Sequence, residues 1–125
     1  MSSSRDRLGA IVTPLLPEKW RGRIESHTVR TIGTLSAPAV FIDYVRISHE
    51  QMPPGQLIDG FEVALISNLT DYSKAEDDLD DAARQFVREI DASSEISWST
   101  ADKRAFGDYL GWAVVVQLLT PSTEE

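Results

Sequence analysis

The run Ser73-Lys74-Ala75-Glu76-Asp77-Asp78-Leu79-Asp80-Asp81-Ala82-Ala83-Arg84-Gln85-Phe86-Val87-Arg88-Glu89-Ile90 decides the fold class. Serine followed three residues later by glutamate is a capping box, with Ser73 at the N-cap and Glu76 at N3. Leu79, Ala82/Ala83, Phe86, Val87 and Ile90 recur with the 3.6-residue period of one apolar stripe. Asp77, Asp78, Asp80 and Asp81 fall in the first two turns, where the helix dipole favours negative charge. Ser93-Ser94 ends the helix.

On both sides of this helix the pattern changes to strands. Upstream, Ala39 to Ser48 is rich in β-branched and aromatic residues (Val40, Phe41, Ile42, Tyr44, Val45, Ile47), apolar on both faces as in a central strand. Leu57 to Asn68 is a second strand, with Phe61, Val63 and Leu65 on one face. The connection His49 to Gln56 contains Pro53-Pro54-Gly55, which cannot continue a ladder, and it is long for a hairpin. Downstream, strands are expected near Ile96 to Ser99 and from Tyr109 to Thr120. In the latter Leu110, Trp112, Val114, Val116 and Leu118 share a face, which makes it the core strand.

Nearer the N-terminus, Ser3 or Ser4 can cap a helix carrying Leu8, Ile11, Val12 and Leu15 on one face. Pro14 ends or kinks it near Val12. Pro17 and Trp20 mark a turn with a buried anchor, and Arg23 to Ile32 reads as an exposed or edge strand. The expected fold is α+β: one domain over residues 1–125, an antiparallel or mixed sheet with two helices packed on it, in the order α-β-β-β-α-β-β.

The 125 residues suffice for one domain, and 42% hydrophobic content can build a core without staples. With no cysteine, disulfides, thiolate zinc sites and cysteine nucleophiles are excluded. Twelve basic against twenty acidic residues give a net charge of −8, which argues against gripping a phosphate backbone. No signal-peptide pattern or apolar run of spanning length is visible, so the expectation is a cytosolic chain with no membrane partner.

No motif of bond-making chemistry appears. The aspartates of 77–81 lack the mid-loop glycine and twelfth-position glutamate of a calcium loop. His27 and His49 stand apart from metal-ligand spacings, no G-x-S-x-G frames a serine, and the glycines form no phosphate cradle. The expectation is a protein without catalytic residues, metal or cofactor. Residues that could instead meet a partner are Arg23, Arg30 and Arg46, which with Arg21 form the basic cluster. The loop residues Met52, Pro53 and Pro54, and the acidic Asp77, Asp78, Asp80 and Asp81, complete the set.

Two blocks, Arg5-Asp6-Arg7-Leu8-Gly9-Ala10 with Pro14-Leu15-Leu16-Pro17-Glu18-Lys19-Trp20, and Ser73-Lys74-Ala75-Glu76-Asp77-Asp78-Leu79-Asp80-Asp81-Ala82, carry a resemblance. The chain resembles small tail-assembly proteins of actinobacterial long-tailed bacteriophages. A strand around Trp98, Lys103 and the closing strand follow in the same order. The resemblance implies a tail-terminator-like fold and a structural virion protein that forms a ring, typically hexameric, on the head-proximal end of the tail tube. Such a ring stops tube polymerisation and offers a surface to the head–tail connector. The implied partners are other copies of the chain, the major tail tube protein and the connector; DNA would only pass through the bore. The chain would reside at the neck end of the virion tail after assembly in the host cytoplasm. Alternatives are a head–tail connector or head-completion protein, or a small acidic adaptor that binds a host protein through the Asp-rich helix.

Overall fold

A computed structural model describes residues 4–25, 33–48, 56–118 and 122–123. Helix α1 spans Ser4–Val12 and runs into two short 3-10 turns, Thr13–Leu15 and Glu18–Trp20. Pro14 sits in the first of these turns, where its missing N–H leaves no intrahelical bond unmade. Strand β1 is the pair Ile24–Glu25. It is followed by β2 (Ala39–Ser48), β3 (Gln56–Ile66), helix α2 (Tyr72–Ala92), β4 (Ile96–Phe106), β5 (Tyr109–Leu118) and β6 (Ser122–Thr123).

The fold is α+β, a mixed sheet in the spatial order β1-β2-β3-β5-β4. β1 lies parallel to β2 and every other pairing is antiparallel; β6 adds a short flank to the start of β3. Both helices lie on one face. α1 rests over β2, and α2 runs across β5 and β4.

The alternation of the strands explains this layering. Val40, Ile42, Phe61, Val63, Leu65, Val114, Val116 and Leu118 point to the helix side. There they meet Leu8, Val12, Leu16 and Trp20 from the N-terminal segment, and Leu79, Ala82, Phe86 and Ile90 from α2. Trp20 is 1% exposed and is the buried anchor that its apolar setting predicts. On the opposite face a smaller cluster gathers Leu35, Ala39, Phe41, Ala64, Ile66 and Tyr109, with Phe106 packed against it. The Tyr109 hydroxyl accepts the Leu35 backbone N–H at 2.9 Å, which ties the chain before β2 to this cluster.

Two expectations need correction. α2 begins one residue before Ser73, and its N-cap is Asp71, whose carboxylate accepts the Ser73 N–H at 3.1 Å and the Ser73 hydroxyl at 2.8 Å. Aspartate caps as well as serine, and here the serine hydroxyl donates back to it instead of capping. β4 runs on from Ser99 to Phe106, through the polar stretch Thr100-Ala101-Asp102-Lys103-Arg104. Pairing with β5 along that whole length overrides the low strand propensity of the segment. β2 lies between β1 and β3, as expected of a central strand, with β1 paired to it at Val40 and Phe41 among the described residues.

The β4–β5 connection is a two-residue turn, Gly107-Asp108, entered at positive φ (+64°) by the glycine. Gly111, just beyond it, is required by space: a Cβ there would lie 2.7 Å from the Phe106 ring and 2.9 Å from the Leu65 carbonyl oxygen. The Phe106 ring thus closes directly over the glycine backbone.

Candidate assembly surfaces

The acidic run of α2 does not form one face. Successive helical residues rotate by about 100°, so the four aspartates fan out around the axis. Asp78 turns toward the N-terminal segment and pairs with Lys19 at 2.6 Å. Asp80 turns toward the sheet, where the Trp112 indole N–H donates to it at 2.8 Å and the Lys103 ammonium lies 3.0 Å away. Lys103 also reaches Glu76 at 2.8 Å, and its ammonium sits 5.5 Å from the centre of the Trp112 ring. Asp77 and Asp81 stand exposed on the outer side.

This network shifts two titrations. Burial would raise the Asp80 carboxyl, but the hydrogen bonds from Trp112 and Lys103 and the Lys103 and Arg84 charges outweigh it and hold the group below its ordinary 3.8. The hydrogen bond to Glu76, then that to Asp80, raises the Lys103 ammonium above its ordinary 10.5. At the start of the helix, the hydrogen bond from Ser73 lowers the Asp71 carboxyl. Asp78 and Asp80 therefore fasten α2 to the rest of the molecule, and only Asp77 and Asp81 remain free for a partner. Nothing in the linear sequence pairs Asp80 with Lys103 or Trp112, because the contact depends on the register between β4 and β5.

Arg21 donates to the Leu16 and Pro14 carbonyls of the N-terminal segment, whereas Arg23 and Arg46 lie toward the sheet face opposite the helices. Arg23 precedes β1, its guanidinium 5.6 Å from the centre of the Phe41 ring and its Nε 3.3 Å from Glu25. Arg46 stands exposed on β2, directly across from Gly60 on β3. Arg30, Met52, Pro53 and Pro54 lie outside the described residues, as do His27, His49 and most of the expected strand from Arg23 to Ile32. Within the helix layer itself the two segments differ in charge. Residues 72–92 carry seven acidic and three basic side chains, whereas residues 4–25 carry five basic and three acidic ones.

Sequence reading missed the arm formed by the far ends of β2 and β3. β5 pairs with β3 only from Gly60 onward, while β2 and β3 stay paired out to Ser48 and Ile58. Past a bulge at Val45, the arm leaves the cover of α1, so Val45 is 55% exposed and Ile47 61%. At its base the Tyr44 hydroxyl donates to the Asp59 carboxylate, and the Tyr44 and Phe61 rings pack 4.7 Å apart. The alternation of Val45 and Ile47 with polar neighbours was the available signal, but it looks the same as a core strand. On the far face of the sheet, Arg104 of β4 reaches over Gly111 and Ala113 to hold Glu62 of β3 at 2.5 Å.

Among the described residues, no group of three or more His, Cys, Asp or Glu side chains is placed to hold a metal ion. No helix among them is long and apolar enough to cross a membrane. Compared with models of protein families, the chain matches none, and it matches no curated protein either.

Proposed function

We propose that this chain is a non-enzymatic building block of a phage tail, a tail terminator whose copies form a ring at the head-proximal end of the tube. Two things support this reading: the sequence resemblance in the N-terminal and α2 blocks, and an architecture whose distinctive features are surfaces. The observation that carries it is the projecting β2–β3 arm, which holds Val45 and Ile47 out of the core at 55% and 61% exposure. Large apolar side chains held on paired strands away from the core mark a place where another surface docks. The charge difference between the α2 side and the N-terminal side suits head-to-tail contacts, in which two different faces of identical subunits meet.

An acidic adaptor working through α2 receives less support, because two of its four aspartates are engaged within the molecule. The purified chain is expected to form a ring-sized species in light scattering, and to cap tubes of the major tail protein when the two are mixed. A chain that stays monomeric and leaves tube length unchanged would remove this reading. A ring found on the portal side of the neck by electron microscopy would replace it with the connector.

A further inference from the structure

We infer that copies of this chain join head to tail, the apolar arm of one copy docking on the opposite end of the sheet in the next. Val45 and Ile47 of one copy cover Leu69 and Tyr72 of its neighbour, and Arg46 meets Asp108. The inference rests on the self-assembling reading above and names the two surfaces that such a contact joins.

Among the described residues, the large apolar side chains that stand exposed are Val45, Ile47, Leu69 and Tyr72, the last two at 42% each. They fall into two pairs, each held on ordered backbone. Val45 and Ile47 lie on the paired strands of the arm. Leu69 donates its N–H to the Ser67 hydroxyl at 3.2 Å, and Tyr72 is the first residue of α2. Apolar side chains kept in water at fixed places mark surfaces that another surface covers.

The two pairs lie at opposite ends of the strands. Ile47 sits across from Asp59 of β3, whereas Leu69 follows the other end of β3 at Ile66. Ile66 is seven residues beyond Asp59, a separation of about 23 Å at the rise of an extended strand. The pairs therefore cannot cover each other within one copy. Between copies they can, and the contact then joins two different surfaces. Each copy gives its arm to one neighbour and its opposite end to the other, and a constant turn from copy to copy closes such a series into a ring.

Shape and charge set the pairing. The arm projects past β5, which pairs with β3 only from Gly60 onward. At the other end a shallow cleft of about 500 Å³ opens between the start of α2 and the β4–β5 turn. Among the described residues it is lined by Thr70, Tyr72, Gly107 and Asp108. A projection on one copy thus meets a hollow on the next. The arm carries the exposed Arg46 between its two apolar residues, and Asp108 stands exposed at the rim of the hollow. The neighbouring Asp71 carboxylate already holds the Ser73 N–H and hydroxyl, which leaves Asp108 to meet the guanidinium. Arm against arm would bring two Arg46 side chains together, and hollow against hollow two Asp108 side chains. Like charges oppose both symmetric arrangements and favour the head-to-tail one.

The chain has no cysteine, so an engineered pair reports the contact without background. Ile47→Cys and Leu69→Cys chains, each confirmed as folded by circular dichroism, are mixed and oxidised. A disulfide-linked dimer is expected in the mixture and in neither chain alone, and a chain carrying both substitutions should link into species up to the size of the whole assembly. Independently, Arg46→Glu and Asp108→Lys should each raise the half-assembly concentration in sedimentation by about tenfold, and the two together should return it to near the wild-type value. Linkage of the Ile47→Cys chain to itself would overturn the contact in favour of paired arms. Wild type that assembles, with no linkage in the mixture and no response to either charge reversal, would overturn the contact while the ring reading stands. If Ile47→Asp leaves assembly unchanged but abolishes capping of tubes, the arm belongs to the tube protein and the contact is overturned. Wild type that stays monomeric at all concentrations would overturn both.

Discussion

β2 and β3 each pass through two environments, and the contrast separates what the chain needs to fold from what it offers to others. In the body of the sheet Val40, Ile42, Phe61, Val63 and Leu65 are wholly buried. A few residues further along the same paired strands, Val45 and Ile47 are mostly in water. The two strands stay paired across the boundary, interrupted by the bulge at Val45, and the cover changes, because α1 and β5 both stop short of the arm. The largest expected effect tests this directly. Phe61→Ala should lower stability by about 3–5 kcal/mol, through lost burial and the cavity left beside Tyr44. Ile47→Ala should change monomer stability by no more than about 0.5 kcal/mol. Urea denaturation of both variants under monomeric conditions measures the difference, and equal losses would mean that the arm belongs to the core.

Two glycines sharpen the same boundary. A Cβ at Gly111, in the body, would press on the Phe106 ring and on the Leu65 backbone, and the backbone cannot yield. Gly111→Ala should therefore lower stability by about 1–3 kcal/mol. At Gly60, where the arm begins, the nearest atom to a new Cβ is the Arg46 Cβ at 3.1 Å. A shift of a few tenths of an ångström relieves that contact, and alanine also loses less chain entropy than glycine. Gly60→Ala should change stability by less than about 1 kcal/mol. Thermal melts of the two variants provide the comparison.

Elements that could be read from the sequence are those whose side-chain period is set by burial. The α2 stripe emerged because one residue in three to four must be apolar there, and the strand Ala39–Ser48 because Ala39 to Ile42 are buried on both faces of the sheet. The extension of β4 through Thr100-Ala101-Asp102-Lys103-Arg104 left no such trace, since its stability comes from β5 and its outer edge faces water. The start of α2 was ambiguous for a different reason: Asp71 and Ser73 are both good caps, two residues apart. The structure gives the role to Asp71, so Asp71→Ala should lower stability by about 1 kcal/mol and Ser73→Ala by less. A larger loss for Ser73→Ala would reinstate the capping box. Of the candidate site, residue types were legible but groupings were not, because the four aspartates are contiguous in sequence and face three directions in space.

That division of the aspartates gives the smallest and most specific expectation, a pH dependence. Asp80 has a folded carboxyl below the 3.8 of an unfolded chain, so its bonds to Trp112 and Lys103 contribute fully above 3.8 and fade as pH falls through the lower folded value. Asp80→Asn should therefore be less stable than wild type at neutral pH, and the two should converge in acid below 3.8. Lys103 runs in the opposite sense. Its folded ammonium is raised, so its contribution holds below 10.5 and is lost as pH rises through the folded value; Lys103→Met and wild type should converge in alkali. Asp77→Asn, which breaks no bond within the molecule, should lie within about 0.5 kcal/mol of wild type at neutral pH. Denaturation midpoints of the three variants across pH test whether Asp80 is a fastening of α2 to the sheet, as its geometry requires, or one more exposed charge like Asp77. A gap between Asp80→Asn and wild type that persists unchanged far into acid, well below 3.8, would show that the Asp80 bonds do not depend on its charge.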